Sequence, residues 1–216
     1  ATIERGERTM SDDWQVAAEA RRRFADMIDG LTEEQLAAPT LCEGWTPREV
    51  AGHVASFVRM SFPTMVFSMA KAGFNVDKAW RANATRYSSG PISEVTGVIR
   101  ERADRRSAIS SFPPELTTAD VVVHTQDVRR PLALADHAPT EAMLIEALDF
   151  CTANDRRKLL IDPDVVDRLR LEATDLDWSW GTGEVVSGPA DAILLAVNGR
   201  ATRVELTGPG VDSLPI

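Results

Sequence analysis

Apolar positions recur at helical spacing over most of the first 160 residues. Residues 12–31 carry Trp14, Ala17, Ala18, Phe24, Met27, Ile28 and Leu31 on one side, with Arg21, Arg22 and Arg23 mostly off it. This pattern predicts an amphipathic helix, with Ser11 as N-cap and Gly30 as terminator. LTEEQL predicts a short helical turn, and LCEGW a break. Thr46-Pro47-Arg48-Glu49 is a helix start: Thr caps, Pro fits the first turn, and Glu closes a capping box. The helix is expected over 47–71, kinked at Pro63 and ended by Gly73.

Residues 92–110 predict a further helix on Val95, Val98, Ile99, Ala103 and Ile109, and Pro113-Pro114 then breaks the chain. Another helix starts at Thr117. Its valine run 121–123 is β-prone, so 121–124 has strand as an alternative, which the surrounding helical pattern outweighs. Residues 140–158 complete the helical region. From about 163 the pattern alternates. LRLEATD and RVELTG read as half-buried strands, separated by DWSWG, a Gly-Thr-Gly turn, EVVSG and a helix PADAILLAVN ended by Gly199. The expectation is an α+β protein: a helical bundle over 11–158, a linker over 159–167, and a small α+β domain over 164–216.

Composition narrows the function. The hydrophobic fraction of 44% suffices for a core, and 26% charged residues is ordinary for a soluble protein. A net charge of -9 argues against nucleic acid and anionic lipid as partners. No apolar run has the length of a membrane span, and ATIERGERTM is too polar for the core of a signal peptide, so it reads as a floppy leader. The two cysteines, Cys42 and Cys151, form no CxxC. The expected location is the cytoplasm.

The candidate chemistry lies with the histidines, of which there are three. Asp120 and His124 stand four residues apart, one helical turn, so a carboxylate and an imidazole share a face and can reach one ion. His53, on another helix, is the candidate third ligand. Three protein ligands with an open position is the pattern of a catalytic zinc site, and the donors also suit other divalent metals. The competing reading makes Asp120 a helix N-terminal charge. Glu49 is explained by the capping box, and His137 reads as solvated. Asp127 reads equally as an orienting group behind the ligands or as a helix-end charge. Cys42 reads as structural, Trp45 as packing near the site, and Trp178 and Trp180 as core or interface residues on one strand face.

LCEGWTPREVAGHVA resembles the signature of the mycothiol-dependent maleylpyruvate isomerase family, within the DinB-like superfamily of four-helix bundles. DVVVHTQDVRRPL resembles its second motif, and LEATDLDWSWGTGEVVSGPADAILLAVNGR its small C-terminal domain. The likeness runs in order over nearly the whole chain from about residue 12. It implies a DinB-like four-helix bundle followed by a small α+β domain. It further implies a metal, usually zinc, on His53, Asp120 and His124, with mycothiol as thiol cosubstrate. Where the family has Glu, this chain has the shorter Asp120. An arginine of the C-terminal domain is implied to contribute to activity, and Arg200 is the matching position; its other reading is a helix C-terminal cation. The implied chemistry is isomerisation by addition and departure of a thiolate, or thiol transfer to a small electrophile. The alternative is a non-catalytic, metal-steadied binding module. The expected assembly is a monomer or weak homodimer.

Overall fold

The computed structural model describes residues 10–106, 112–155 and 157–215. The expected leader up to residue 9 and the apolar position Ile109 lie outside them. The protein has a predominantly helical N-terminal bundle and a small C-terminal α+β region with a three-stranded sheet among the described residues. The chain divides into two compact units. One comprises the N-terminal residues up to Ala38 together with Thr46–Thr117; the other comprises Pro39–Trp45 and the chain from Thr118 onward.

The first unit is built from α1 (Met10–Asp29), α2 (Glu33–Leu36), α3 (Pro47–Arg59), α4 (Phe62–Lys71), α5 (Val76–Ser88) and α6 (Ile92–Glu101). The predicted face of α1 is the buried one: Ala17, Ala18, Phe24, Met27 and Ile28 are all sealed from solvent. The helix starts at Met10, so Ser11 lies inside it rather than capping it. Arg21 is also buried, against expectation. Its guanidinium donates to the carbonyls of Ala103 at 2.8 Å and Arg105 at 2.7 Å, which satisfies the chain leaving α6. Arg100 of α6 in turn pairs with Asp26 and Asp29 of α1.

The helix expected over 47–71 is two helices. The capping box at Thr46 and Glu49 forms as predicted. However, Ser61 caps a new helix that takes Pro63 into its first turn, where a missing N–H costs nothing. A kinked helix and a broken one therefore differ here by one serine. None of the α4 residues is buried, and Phe62, Val66 and Phe67 stand exposed on it.

Helix α5 was not expected. Asn75 caps it, and Ala79, Asn83, Ala84 and Ser88 form its buried stripe. That stripe is made of small and polar residues, which carry little hydrophobic periodicity. The reason they suffice is Gly52 on α3. A Cβ there would fall 2.2 Å from the Ala84 carbonyl oxygen and 2.7 Å from Ser88. The two helices touch backbone to backbone, so small residues are what the contact needs.

The second unit holds α7 (Pro114–Arg129) from Thr118 on, α8 (Glu141–Ala153), α9 (Pro163–Val166), β1 (Leu169–Ala173), β2 (Ser179–Gly181), β3 (Glu184–Gly188) and α10 (Ala190–Val197). The valine run lies in α7 as helix, and every residue from Val121 to Val128 is buried. A helix covered all round shows no polar face, which is why its pattern looked strand-like. The expected linker begins on the last residue of a 3-10 turn at Arg157–Leu159 and contains α9.

The sheet order is β2-β1-β3, with β1 antiparallel to β2 and parallel to β3. The Gly-Thr-Gly segment is thus no hairpin turn: it carries the chain from one side of β1 to the other. RVELTG is not a strand either. Arg203–Glu205 is a 3-10 turn with Val204 97% exposed, and Thr207 alone bridges to Ser187. Of its two apolar positions only Leu206 is buried, so the alternation does not mark a covered sheet face. Trp178 is buried and donates its indole N–H to Asp149 at 2.9 Å, while Trp180 is half-buried.

Candidate metal centre

His124 sits in the middle of α7 with its two ring nitrogens in different surroundings. Nδ1 lies 3.0 Å from Asp127 Oδ2, and Nε2 lies 3.8 Å from Asp120 Oδ1. All three side chains lie on one helix at i, i+4 and i+7, so α7 alone sets the arrangement. Asp127 is completely buried. Burial pushes its carboxyl upward, but the hydrogen bonds and charges of His124 and Arg200 outweigh this and hold it below the usual carboxylate range. An ionised Asp127 accepts a hydrogen bond from Nδ1–H. The tautomer is therefore fixed with the lone pair on Nε2, towards Asp120.

Arg200 completes this support. Its Nε donates to Asp127 Oδ1 at 3.0 Å, Nη2 to Oδ2 at 2.8 Å, and Nη1 to the Asn198 carbonyl at 2.7 Å. Burial lowers the affinity of this guanidinium for its proton, but the Asp127 hydrogen bond more than offsets it. The local sequence explains how Arg200 gets there. Helix α10 ends with Gly199 at φ 75, the Gly199 N–H donates to Ala196, and the Arg200 N–H donates to Leu195. This pair of bonds around a left-handed glycine turns the chain sharply back and aims the next side chain at α7.

The loop of residues 39–45 belongs to the same unit and is pinned to α7 by the Leu41 N–H donating to the Asp127 carbonyl at 3.0 Å. The Thr40 hydroxyl closes the loop by donating to the carbonyls of Cys42 and Trp45. Trp45 consequently stacks on His124, with ring centroids 6.3 Å apart and planes at 23°. Cys42, read from sequence as merely structural, has its sulfur, a His124 nitrogen and an Asp127 oxygen within 4.8 Å of one another. No spacing rule relates residue 42 to 124, so only the loop's place in the LCEGW motif hinted at it.

Farther along α7, Gln126, Arg129 and Arg130 all reach Asp191 in the first turn of α10, and Arg130 also reaches Glu205. The two arginines of the second motif therefore hold the C-terminal region to this end of α7.

The remaining predicted ligand, His53, is in the first unit, on α3, and is 2% exposed. Its ring meets Phe57 edge-on at 5.0 Å and Trp80 of α5 at 5.2 Å, and these two rings meet each other at 5.6 Å. Glu49 is occupied by the capping box, and His137 is half-buried on a 3-10 turn.

The donors of α7 fit a divalent ion. Two ligand atoms bound at about 2.0 Å to a tetrahedral centre lie roughly 3.3 Å apart, so the 3.8 Å between His124 and Asp120 needs only a small adjustment. Cys42 with His124 and Asp127 is a poorer set, because both Asp127 oxygens are already taken by His124 and Arg200.

Residues 17–118 match the family model for the mycothiol maleylpyruvate isomerase N-terminal domain. That match spans a little under half of the chain and makes these residues similar to that domain. Among solved structures, the crystal structure of the mycothiol-dependent maleylpyruvate isomerase superposes with a TM-score of 0.61 at 15% identity, covering 94% of this chain and 93% of that one. A histidine-to-alanine mutant of that enzyme superposes at 0.60 with 14% identity over the same shares. At this identity the likeness establishes the fold. No curated protein sequence matches. Among the described residues, no helix is long and apolar enough to cross a membrane.

Proposed function

We propose that this chain is a metal-dependent enzyme of low-molecular-weight thiol chemistry. His53, Asp120 and His124 hold one divalent ion, zinc by the family resemblance, and mycothiol is the thiol that binds there. The observation that carries this reading is His124: its Nδ1 is held by a buried carboxylate and its Nε2 faces Asp120 across 3.8 Å. A histidine held in this way, with its free nitrogen beside a second donor, is the usual support of a metal ligand. His53 is assigned from the family motif, within the segment that matches the family model.

The ion supplies one thing: it favours the thiolate of a bound thiol over the thiol, and so provides a nucleophile at neutral pH. The chain's own residues do the rest. Asp127 keeps the Nδ1 proton of His124, and Arg200 keeps Asp127 ionised and in place. Arg200 acts here as a positioning residue, since three of its N–H groups are already given to Asp127 and Asn198. The acceptor is a small electrophile, attacked either in an isomerisation or in a thiol transfer. The protein works in the reducing cytoplasm as a monomer or weak homodimer.

The test is calorimetry with mycothiol on protein of measured metal content. The expected result is about one divalent ion per chain, saturable thiol binding, release of a proton on binding, and weaker binding as pH falls. A fully loaded protein giving no heat at millimolar thiol overturns the enzyme reading in favour of a metal-steadied binding module.

A further inference from the structure

We propose that two copies of this chain pair through the outer face of α4, forming a weak dimer centred on Phe67. The surface lies wholly within the first unit and does not depend on the metal or the thiol.

Helix α4 has its apolar side turned to water. Its exposed positions fall into two adjacent rows at four-residue spacing: Phe62, Val66 and Ala70, and beside them Pro63, Phe67 and Lys71. All but Lys71 are apolar, and Lys71 stands at the end of its row. The polar Ser68 points inward instead, donating to the buried Asn83 of α5 at 3.0 Å. A surface helix that is covered only by its own unit has the opposite arrangement, apolar stripe in and polar side out.

Beyond the helix the apolar surface continues through Phe74 and Val76, both exposed. Phe74 follows Gly73, at φ 67, and itself has φ 59, in the left-handed region that a bulky side chain adopts only at a cost. Its N–H donates to the Met69 carbonyl at 2.8 Å. With 72% of the residue exposed, little of that cost is returned within the unit.

Area and charge select the occupant. Phe62, Phe67 and Phe74 are 54%, 68% and 72% exposed. At about 200 Å² for a whole phenylalanine side chain, they leave roughly 400 Å² of aromatic surface in water. Val66 and Val76 bring the patch to about 500 Å², at the upper end of what a monomer leaves bare. Two copies joined here bury about 1,000 Å², enough for a specific contact and short of the roughly 1,600 Å² of a tight one.

The chain carries a net charge of -9, yet no carboxylate lies between Glu49 and Asp77. Two such chains repel each other least where this segment meets itself. The same net charge opposes an anionic membrane, and α4 offers only Lys71 against it. A patch that meets its own copy gives a two-fold contact, which closes at two chains.

The experiment is sedimentation equilibrium on the full-length, metal-loaded protein from about 10 μM to about 1 mM. The expected result is a monomer–dimer equilibrium with a Kd on the order of 100 μM. Added salt should tighten it, because screening relieves the repulsion between the two acidic chains. Phe67→Glu is expected to weaken association at least tenfold with Tm unchanged. Phe74→Asn, whose side chain tolerates the left-handed region, is expected to weaken it several-fold while holding or raising Tm. Val204→Glu adds the same charge at an exposed position of the other unit and should leave the equilibrium as it is. A parent that stays monomeric at about 1 mM overturns the proposal. So does a dimer that survives both Phe67→Glu and Phe74→Asn, or one that salt dissociates. Cosedimentation of a monomeric parent with phosphatidylcholine–phosphatidylglycerol vesicles, lost in Phe67→Glu, overturns it in favour of a membrane surface.

Discussion

Arg200 and Asp127 face each other across two parallel hydrogen bonds, 3.0 Å from Nε and 2.8 Å from Nη2, one residue beyond the glycine that ends α10 and in the last turn of α7. Two-point geometry of this kind uses the planar guanidinium fork, which lysine lacks. Asp127 has no contact with water, so the pair is worth most when one considers losing half of it.

Arg200→Ala leaves a buried carboxylate without its cation. The expected cost is about 3–5 kcal/mol of unfolding free energy, read from urea denaturation midpoints. The double variant Arg200→Leu with Asp127→Leu removes both charges and is expected to recover much of that loss. Equal instability of the single and double variants would mean that packing, and not the unpaired charge, sets the cost.

Asp127→Asn separates support from ligation. The side chain keeps its shape but no longer fixes the His124 tautomer by an ionic acceptor. Metal affinity, measured by competition with a chromophoric chelator, is expected to fall roughly 10–100-fold with the fold intact. His53→Ala and His124→Ala are expected to abolish metal binding. Full metal retention in the double His53/His124 variant refutes the ligand assignment.

Much of this was legible along the chain, and the rest was not for identifiable reasons. The buried face of α1, the capping box of α3 and the Asp120–His124 pairing are local patterns, in which residues three or four apart report on each other. Arg200 was visible as a residue but not as a partner of Asp127, because a contact across 73 positions leaves no periodicity. Cys42 beside His124 is the same case. Helix α5 was missed because its contact with α3 is made by backbone and small residues, and a stripe of Ala, Asn and Ser carries no hydrophobic signal. RVELTG alternated without being a strand, since alternation is informative only where one face is covered.

Gly52→Ala tests the contact that hid α5. The added methyl would meet the Ala84 carbonyl at 2.2 Å, and backbone cannot move aside as a flexible side chain can. Separating α3 from α5 is expected to cost about 1–3 kcal/mol, despite the better helix propensity of alanine. Because His53 follows directly and Trp80 lies across on α5, a drop in metal affinity should accompany the lower Tm. An unchanged or raised Tm would mean that the helices do not approach this closely in solution.

The two cysteines are expected to differ sharply in reactivity. Cys151 is fully buried on α8, and burial pushes its thiol from 9.0 up to about 12, against a small opposing effect of the Asn198 amide. Cys42 is only half-buried. A thiol-disulfide reagent at pH 8 should therefore modify one of the two thiols in the native protein and both in urea. The same shift gives a sign for stability. Below pH 9 both folded and unfolded Cys151 are protonated and the group is neutral to folding equilibrium. Between 9 and about 12 only the unfolded chain ionises, so stability falls progressively as pH rises through that window. Cys151→Ser carries a group that does not titrate there, and its denaturation midpoint should depend less steeply on pH above 9 than that of the parent. Parallel pH profiles for the two proteins would show that Cys151 is not sealed as the fold requires.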